Sequence, residues 1–110
     1  MSDLIAPVIG ELRQHHPKVD KDDVERAYEI AKKAHEGQLR KSGDPYITHP
    51  IQVAQILADL GMAKATVIAA LLHDTVEDTQ YSLTQLRDDF GDEIANIVDG
   101  VTKLDKLTRS

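Results

Sequence analysis

The sequence has no cysteine, no tryptophan and one phenylalanine. Without cysteine there is no disulfide framework, no thiolate metal site and no cysteine nucleophile, which fits a reducing, cytoplasmic setting. Any metal ion must be held by His, Asp or Glu. Long apolar runs are also missing: the longest, Val67 to Leu72, falls far short of the roughly 20 residues a membrane span needs. Met1 to Gly10 shows no basic start ahead of an apolar stretch, so neither a membrane span nor a secretory signal is expected. Positive charge is scarce, with 13 Lys and Arg against 19 Asp and Glu and a formal net charge of −6. A general nucleic-acid binder carries a basic face, so direct nucleic-acid binding is not expected. An anionic ligand would need local basic residues or a bound cation to offset the field of the whole molecule.

What is present is 110 residues, 41% of them hydrophobic, enough for one small domain. The apolar periodicity is helical almost throughout, and no alternating run is long enough for a strand, so the fold class is all-α with about six helices. The first helix, about Leu4 to His16, places Leu4, Ile5, Val8, Ile9 and Leu12 on one face and stops at Pro17. The second starts at Asp20 as N-cap, with Asp22 and Asp23 suited to the helix dipole. Its stripe is Val24, Ala27, Tyr28, Ala31 and Ala34, with His35 beside it and an end near Gly37.

Gly37 to Pro50 breaks the pattern and reads as an ordered loop, with turn chemistry over Ser42 to Pro45. Pro50 at a first helical position would put His49 at or beside the N-cap of a third helix. That helix buries Val53, Ile56, Leu57 and Leu60 in this reading and ends at Gly61. A fourth, about Ala63 to Thr75, is apolar on all sides and is expected at the centre. Ser82 and Gln85 form a capping box for a fifth, which Tyr81 and Leu86 staple. Ile94, Ile97, Val98, Val101 and Leu104 mark a sixth, despite Gly100.

The chemistry gathers where the apolar helix ends, at His73, Asp74, Glu77 and Asp78. Carboxylates beside a core helix need a partner, a solvent-lined pocket or a metal. With one further helical turn, His73 and Glu77 share a face, as do Asp74 and Asp78. Adjacent His73 and Asp74 point about 100° apart, which does not itself favour a shared ligand. On spacing alone, His73 as a hydrogen-bonded core residue beside solvated acids carries more weight than a metal site. Arg40, Lys41 and Ser42 read either as a solvated loop or as an anion or nucleotide contact. His49 reads equally as a helix cap or a metal ligand. His15 and His16 receive no role.

Three stretches, Gln38 to Pro50, Ala69 to Thr79 and Val98 to Leu104, resemble the N-terminal hydrolase domain of the Rel/Spo family of bifunctional (p)ppGpp synthetase/hydrolases. The resemblance runs over nearly the whole chain, and its wording is most similar to actinobacterial Rel proteins. It implies an HD-superfamily helical bundle that removes pyrophosphate from the 3′ position of guanosine tetra- or pentaphosphate with bound Mn²⁺. The implied ligands are His49, His73 and Asp74. Mixed imidazole and carboxylate ligation suits Mn²⁺, and would also accept Zn²⁺ or Fe²⁺. Glu77 and Asp78 match the family pair that positions and activates water or handles proton transfer. Arg40 matches the residue stacked on the guanine, with Lys41 and Ser42 at nucleotide-contacting positions.

The family has a further metal-ligating Asp on a later helix, and no Asp of this sequence matches it. The resemblance therefore implies the N-terminal part of the domain, incomplete at its C-terminus, without synthetase, TGS or ACT regions. Weaker metal binding, impaired catalysis and an exposed apolar surface that favours a homo-oligomer are expected. A catalytically silent nucleotide-binding module and a purely structural helix bundle are the competing functional classes.

Overall fold

The structure is a computed structural model that describes residues 4–109, the side chains of 105–109 excepted. Six helices follow one another: α1 (Ala6–His15), α2 (Lys21–Ala34), α3 (Thr48–Asp59), α4 (Lys64–Asp78), α5 (Leu83–Phe90) and α6 (Asp92–Arg109). There is no strand among the described residues, only an isolated antiparallel bridge between Leu39 and Pro45. No described helix is long and apolar enough to cross a membrane.

The centre is α4, against which α2, α3 and α6 all pack, while α1 covers α3 and α5 covers α6. Its Val67, Ile68, Ala69, Leu71, Leu72 and Thr75 are all buried, as its all-round apolar character requires. From α2, the stripe Val24, Ala27, Tyr28 and Ala31 meets it. The cap chemistry is as read from sequence. Asp20 accepts from the Asp22 amide, and Ser82 and Gln85 exchange both bonds of a capping box. Helix α2 ends earlier than expected, at Ala34, because the His35 to Gln38 turn closes through Gln38 N–H to His35 C=O at 3.0 Å.

Three expectations need correction. Helix α3 buries Pro50, Ile51, Ala54 and Ala58; of the predicted face, Val53 and Leu57 are half-buried, Leu57 against the core, whereas Ile56 is 59% and Leu60 67% exposed. Small Ala54 and Ala58 side chains line the buried stripe, so α3 packs through its less bulky face. Leu4 is exposed although it was placed on the buried face of α1. On α6, Ile94, Ala95 and Val98 enter the core, whereas Val101 and Leu104 stay exposed, with Val101 on the wall of a cleft.

The helix junctions are tied locally. His16 Nε2 meets the Gly61 carbonyl at 3.1 Å, joining the end of α1 to the end of α3. Gly61 has φ +82°, and a Cβ there would stand 3.3 Å from the His15 ring. Both its backbone conformation and its space call for glycine.

Candidate metal centre and its cleft

Helix α4 runs one turn past Thr75, so Glu77 and Asp78 are helical. This brings His73, Asp74 and Glu77 together at the end of the buried helix, all half-buried, with one ligand atom from each within 4.8 Å of the others. His73 Nε2 lies 3.2 Å from Glu77 Oε2, and His73 Nδ1 lies 3.4 Å from Asp74 Oδ1. The two side chains that leave the helix about 100° apart therefore converge through their outer atoms. His49 approaches from α3, with Nε2 3.8 Å from Asp74 Oδ2.

His49 is the second residue of α3 rather than its cap. The carbonyls of Pro45 and Tyr46 take the amides of Thr48 and His49 at 3.1 and 3.0 Å, so helical winding starts before Pro50. Pro50 then falls among the first residues of the helix, where a missing N–H costs no intrahelical bond.

The loop before α3 is a tight hairpin. Tyr46 N–H reaches Gln38 C=O at 2.9 Å, Arg40 N–H reaches Asp44 C=O at 2.8 Å, and Gly43 N–H closes on Arg40 C=O. Gly43 has φ +93°, a conformation that glycine takes without steric cost. The turn presents Arg40, Lys41 and Ser42 around a shallow depression shared with Tyr46 and His49. The Ser42 hydroxyl is already engaged, donating to Asp44 Oδ2 at 3.0 Å.

A cleft of about 360 Å³ opens between α3, α4 and α6, with His49, His73 and Asp74 at one side and Val53, Leu57, Ile97 and Val101 along its apolar walls. His49 thus stands between the cleft and the Arg40 depression. Asp78 is not brought to this cluster. It is exposed and lines a separate polar groove with Lys33, Gln38 and Tyr81.

Tyr46 is the site residue that the sequence reading missed. Its hydroxyl donates to Asp74 Oδ2 at 3.0 Å, and its ring stands edge-on to His49 with centroids 6.0 Å apart. Its place in the Pro45 to His49 stretch, three residues before a candidate ligand, was the available signal. Burial pushes its phenol up to about 12, helped by the charge of Asp74 and the hydrogen bond to it. Asp74 goes the other way: the hydrogen bond from His73 holds its carboxyl below the usual carboxylate range against desolvation, and the Tyr46 bond adds to the lowering. A carboxylate that stays ionised, beside imidazole nitrogens and a second carboxylate, has the donor chemistry of a divalent metal site.

The model of the HD domain family matches residues 27–110, most of the chain. The chain belongs to the HD domain family. As an HD domain it is 53% identical over 107 residues, 97% of its length, to a probable GTP pyrophosphokinase of Mycobacterium leprae. It is 55% identical over 104 residues, 94% of its length, to the bifunctional (p)ppGpp synthase/hydrolase RelA of Mycobacterium tuberculosis. To the guanosine-3′,5′-bis(diphosphate) 3′-pyrophosphohydrolase of Aquifex aeolicus it is 48% identical over 99 residues, 90% of its length. The chain spans 14% of the length of each of these relatives.

Proposed function

We propose that this HD domain is the N-terminal part of a Mn²⁺-dependent hydrolase that converts guanosine 3′,5′-bis(diphosphate) to GDP and pyrophosphate, and the pentaphosphate to GTP and pyrophosphate. The observation that carries the reading is the convergence of His73, Asp74 and Glu77 near the C-terminal end of α4, with His49 3.8 Å from Asp74 and with His49, His73 and Asp74 lining a cleft. Relatives named for this reaction support the choice of substrate.

In this reading His49, His73 and Asp74 hold the metal. When bound, a divalent cation polarises a phosphoryl oxygen and lowers the pKa of a water. Hydrolysis adds one water across the 3′ ester, with hydroxide joining the released pyrophosphate and a proton going to the 3′ oxygen. Glu77, whose carboxylate lies among the ligand atoms, takes the proton from water. Asp78, one residue on and at the mouth of the neighbouring groove, serves proton exchange with solvent. The planar Arg40 guanidinium stacks on the guanine, and Lys41 supplies positive charge to phosphates, which an acidic protein otherwise repels. Ser42, whose hydroxyl donates to Asp44, contacts the nucleotide as an acceptor.

The experiment is release of pyrophosphate from guanosine tetraphosphate by this chain, with and without Mn²⁺, beside Asp74→Asn. Release that needs both Mn²⁺ and Asp74 supports the reading. Nucleotide binding without release would move the domain to the silent, nucleotide-binding class.

A further inference from the structure

His35 is 3% exposed, and both of its ring nitrogens are engaged. Nδ1 lies 3.1 Å from Gln38 Oε1, and Nε2 lies 3.2 Å from Thr75 Oγ1. With a carbonyl oxygen facing it, Nδ1 carries the proton, and Nε2 shares a hydrogen bond with the Thr75 hydroxyl. The flat face of that ring packs against Tyr46, with centroids 4.6 Å apart and planes 35° from parallel. Tyr46 in turn donates to Asp74 Oδ2 at 3.0 Å.

These contacts form a closed circuit. It leaves α4 at Thr75, crosses His35 at the end of α2, passes to Tyr46 in the hairpin loop and returns to α4 at Asp74. Thr75 and Asp74 are sequence neighbours that point about 100° apart on the helix, one inward and one toward the cleft. A single buried imidazole can therefore brace the helix from inside while its ring backs the tyrosine that holds the carboxylate from outside. Of the two Asp74 oxygens, Oδ2 takes the phenol, and Oδ1 faces His73.

We propose that Tyr46 and His35 are positioning residues: His35, fixed by Gln38 and Thr75, holds the Tyr46 ring, and the Tyr46 hydroxyl fixes the Asp74 carboxylate in the orientation that binds metal. This rests on the reading of Asp74 as a metal ligand and extends it to the residues that hold that carboxylate in place. Carboxylate ligands held by an outer hydrogen bond typically lose about 10- to 100-fold in metal affinity or activity when that partner is removed.

The test is calorimetric titration of Mn²⁺ into the intact chain and four variants, with thermal unfolding of each metal-free protein alongside. Tyr46→Phe removes one hydroxyl and keeps the ring, so the metal-free protein should stay folded with only a small drop in melting temperature, the loss of one hydrogen bond, while Mn²⁺ affinity falls about tenfold. Gln38→Ala frees Nδ1 of His35 and should weaken Mn²⁺ binding by a smaller factor. Because both act on the same support, the double variant should bind no more weakly than Tyr46→Phe alone. Unchanged affinity in Tyr46→Phe, with binding lost in Asp74→Asn, would overturn the positioning role and leave the ligand assignment standing. Additive losses in the double variant would overturn the link from His35 to Tyr46. Equal Mn²⁺ titrations for wild type and Asp74→Asn would remove the ligand assignment itself, and this proposal with it.

Discussion

His73 and Glu77 pair across one turn of α4, Nε2 to Oε2 at 3.2 Å, so the metal-free site already orients the imidazole through the carboxylate that is assigned to proton transfer. Asp74 and Glu77 both touch His73, with different roles in the proposed function. Asp74→Asn replaces an ionised oxygen ligand with an amide and should abolish Mn²⁺ binding. Glu77→Gln keeps a polar side chain of similar shape and should leave Mn²⁺ bound while pyrophosphate release falls, by about 100-fold or more for a lost general base. Mn²⁺ titration and turnover on the same preparations separate the two. Loss of metal in Glu77→Gln would make Glu77 a ligand instead.

Arg40 lines the depression it shares with Tyr46 and His49 and is not among the side chains that converge at His73, Asp74 and Glu77. Arg40→Ala should therefore weaken binding of guanosine tetraphosphate and leave Mn²⁺ affinity as it is. Arg40→Lys keeps the charge but loses the planar stacking surface, and should recover only part of the nucleotide binding. Fluorescent-nucleotide binding and metal titration together check this. Full recovery with lysine would mean that charge alone operates at this position.

The caps, the central helix and the chemistry at its end were legible because each rests on local sequence. Asp20, Ser82 with Gln85, and the apolar run Val67 to Leu72 sit where short-range physics places them. What was not legible depends on which helix meets which. The α3 pattern offers two faces, one of large residues and one carrying Ala54 and Ala58, and hydrophobicity alone favours the first, of which only Val53 and Leu57 are half-buried. The partner surfaces of α1 and α4 decide it, and these are tertiary facts. Tyr46 and Thr75 escaped for the same reason: their partners, Asp74 and His35, lie 28 and 40 residues away. His49 was found as a residue but not as a second helical position, because the early turn depends on carbonyls of Pro45 and Tyr46.

The corrected face of α3 gives a stability prediction. Ala58 is fully buried, so Ala58→Leu adds volume to a packed interface and should cost about 1–3 kcal/mol. Leu60, two residues on, is 67% exposed, and Leu60→Ala should stay within about 0.5 kcal/mol of the wild type. Urea unfolding of both variants measures the contrast. The reverse order would restore the face expected from sequence.

Tyr81 provides a pH test at a distance from the metal cluster. Its hydroxyl donates to Asp89 Oδ2 at 2.6 Å, and burial, followed by the hydrogen bond to Asp89 and the charge of Asp89, raises its phenol pKa. In the unfolded chain the same phenol ionises near its ordinary value of about 10. Below that pH both states keep the proton, and the stabilisation is complete. Above it the unfolded chain loses the proton first, so stability falls as pH rises from about 10 toward the raised folded value. Tyr81→Phe should cost about 1 kcal/mol at pH 8, the net worth of one hydrogen bond. That cost should shrink by about pH 11, because the wild type then carries the ionisation penalty and the variant does not. Urea unfolding of both proteins at the two pH values decides the matter. A constant difference would show that Tyr81 ionises alike in the folded and unfolded chains, and a growing one that the folded chain ionises more readily; either overturns the raised pKa.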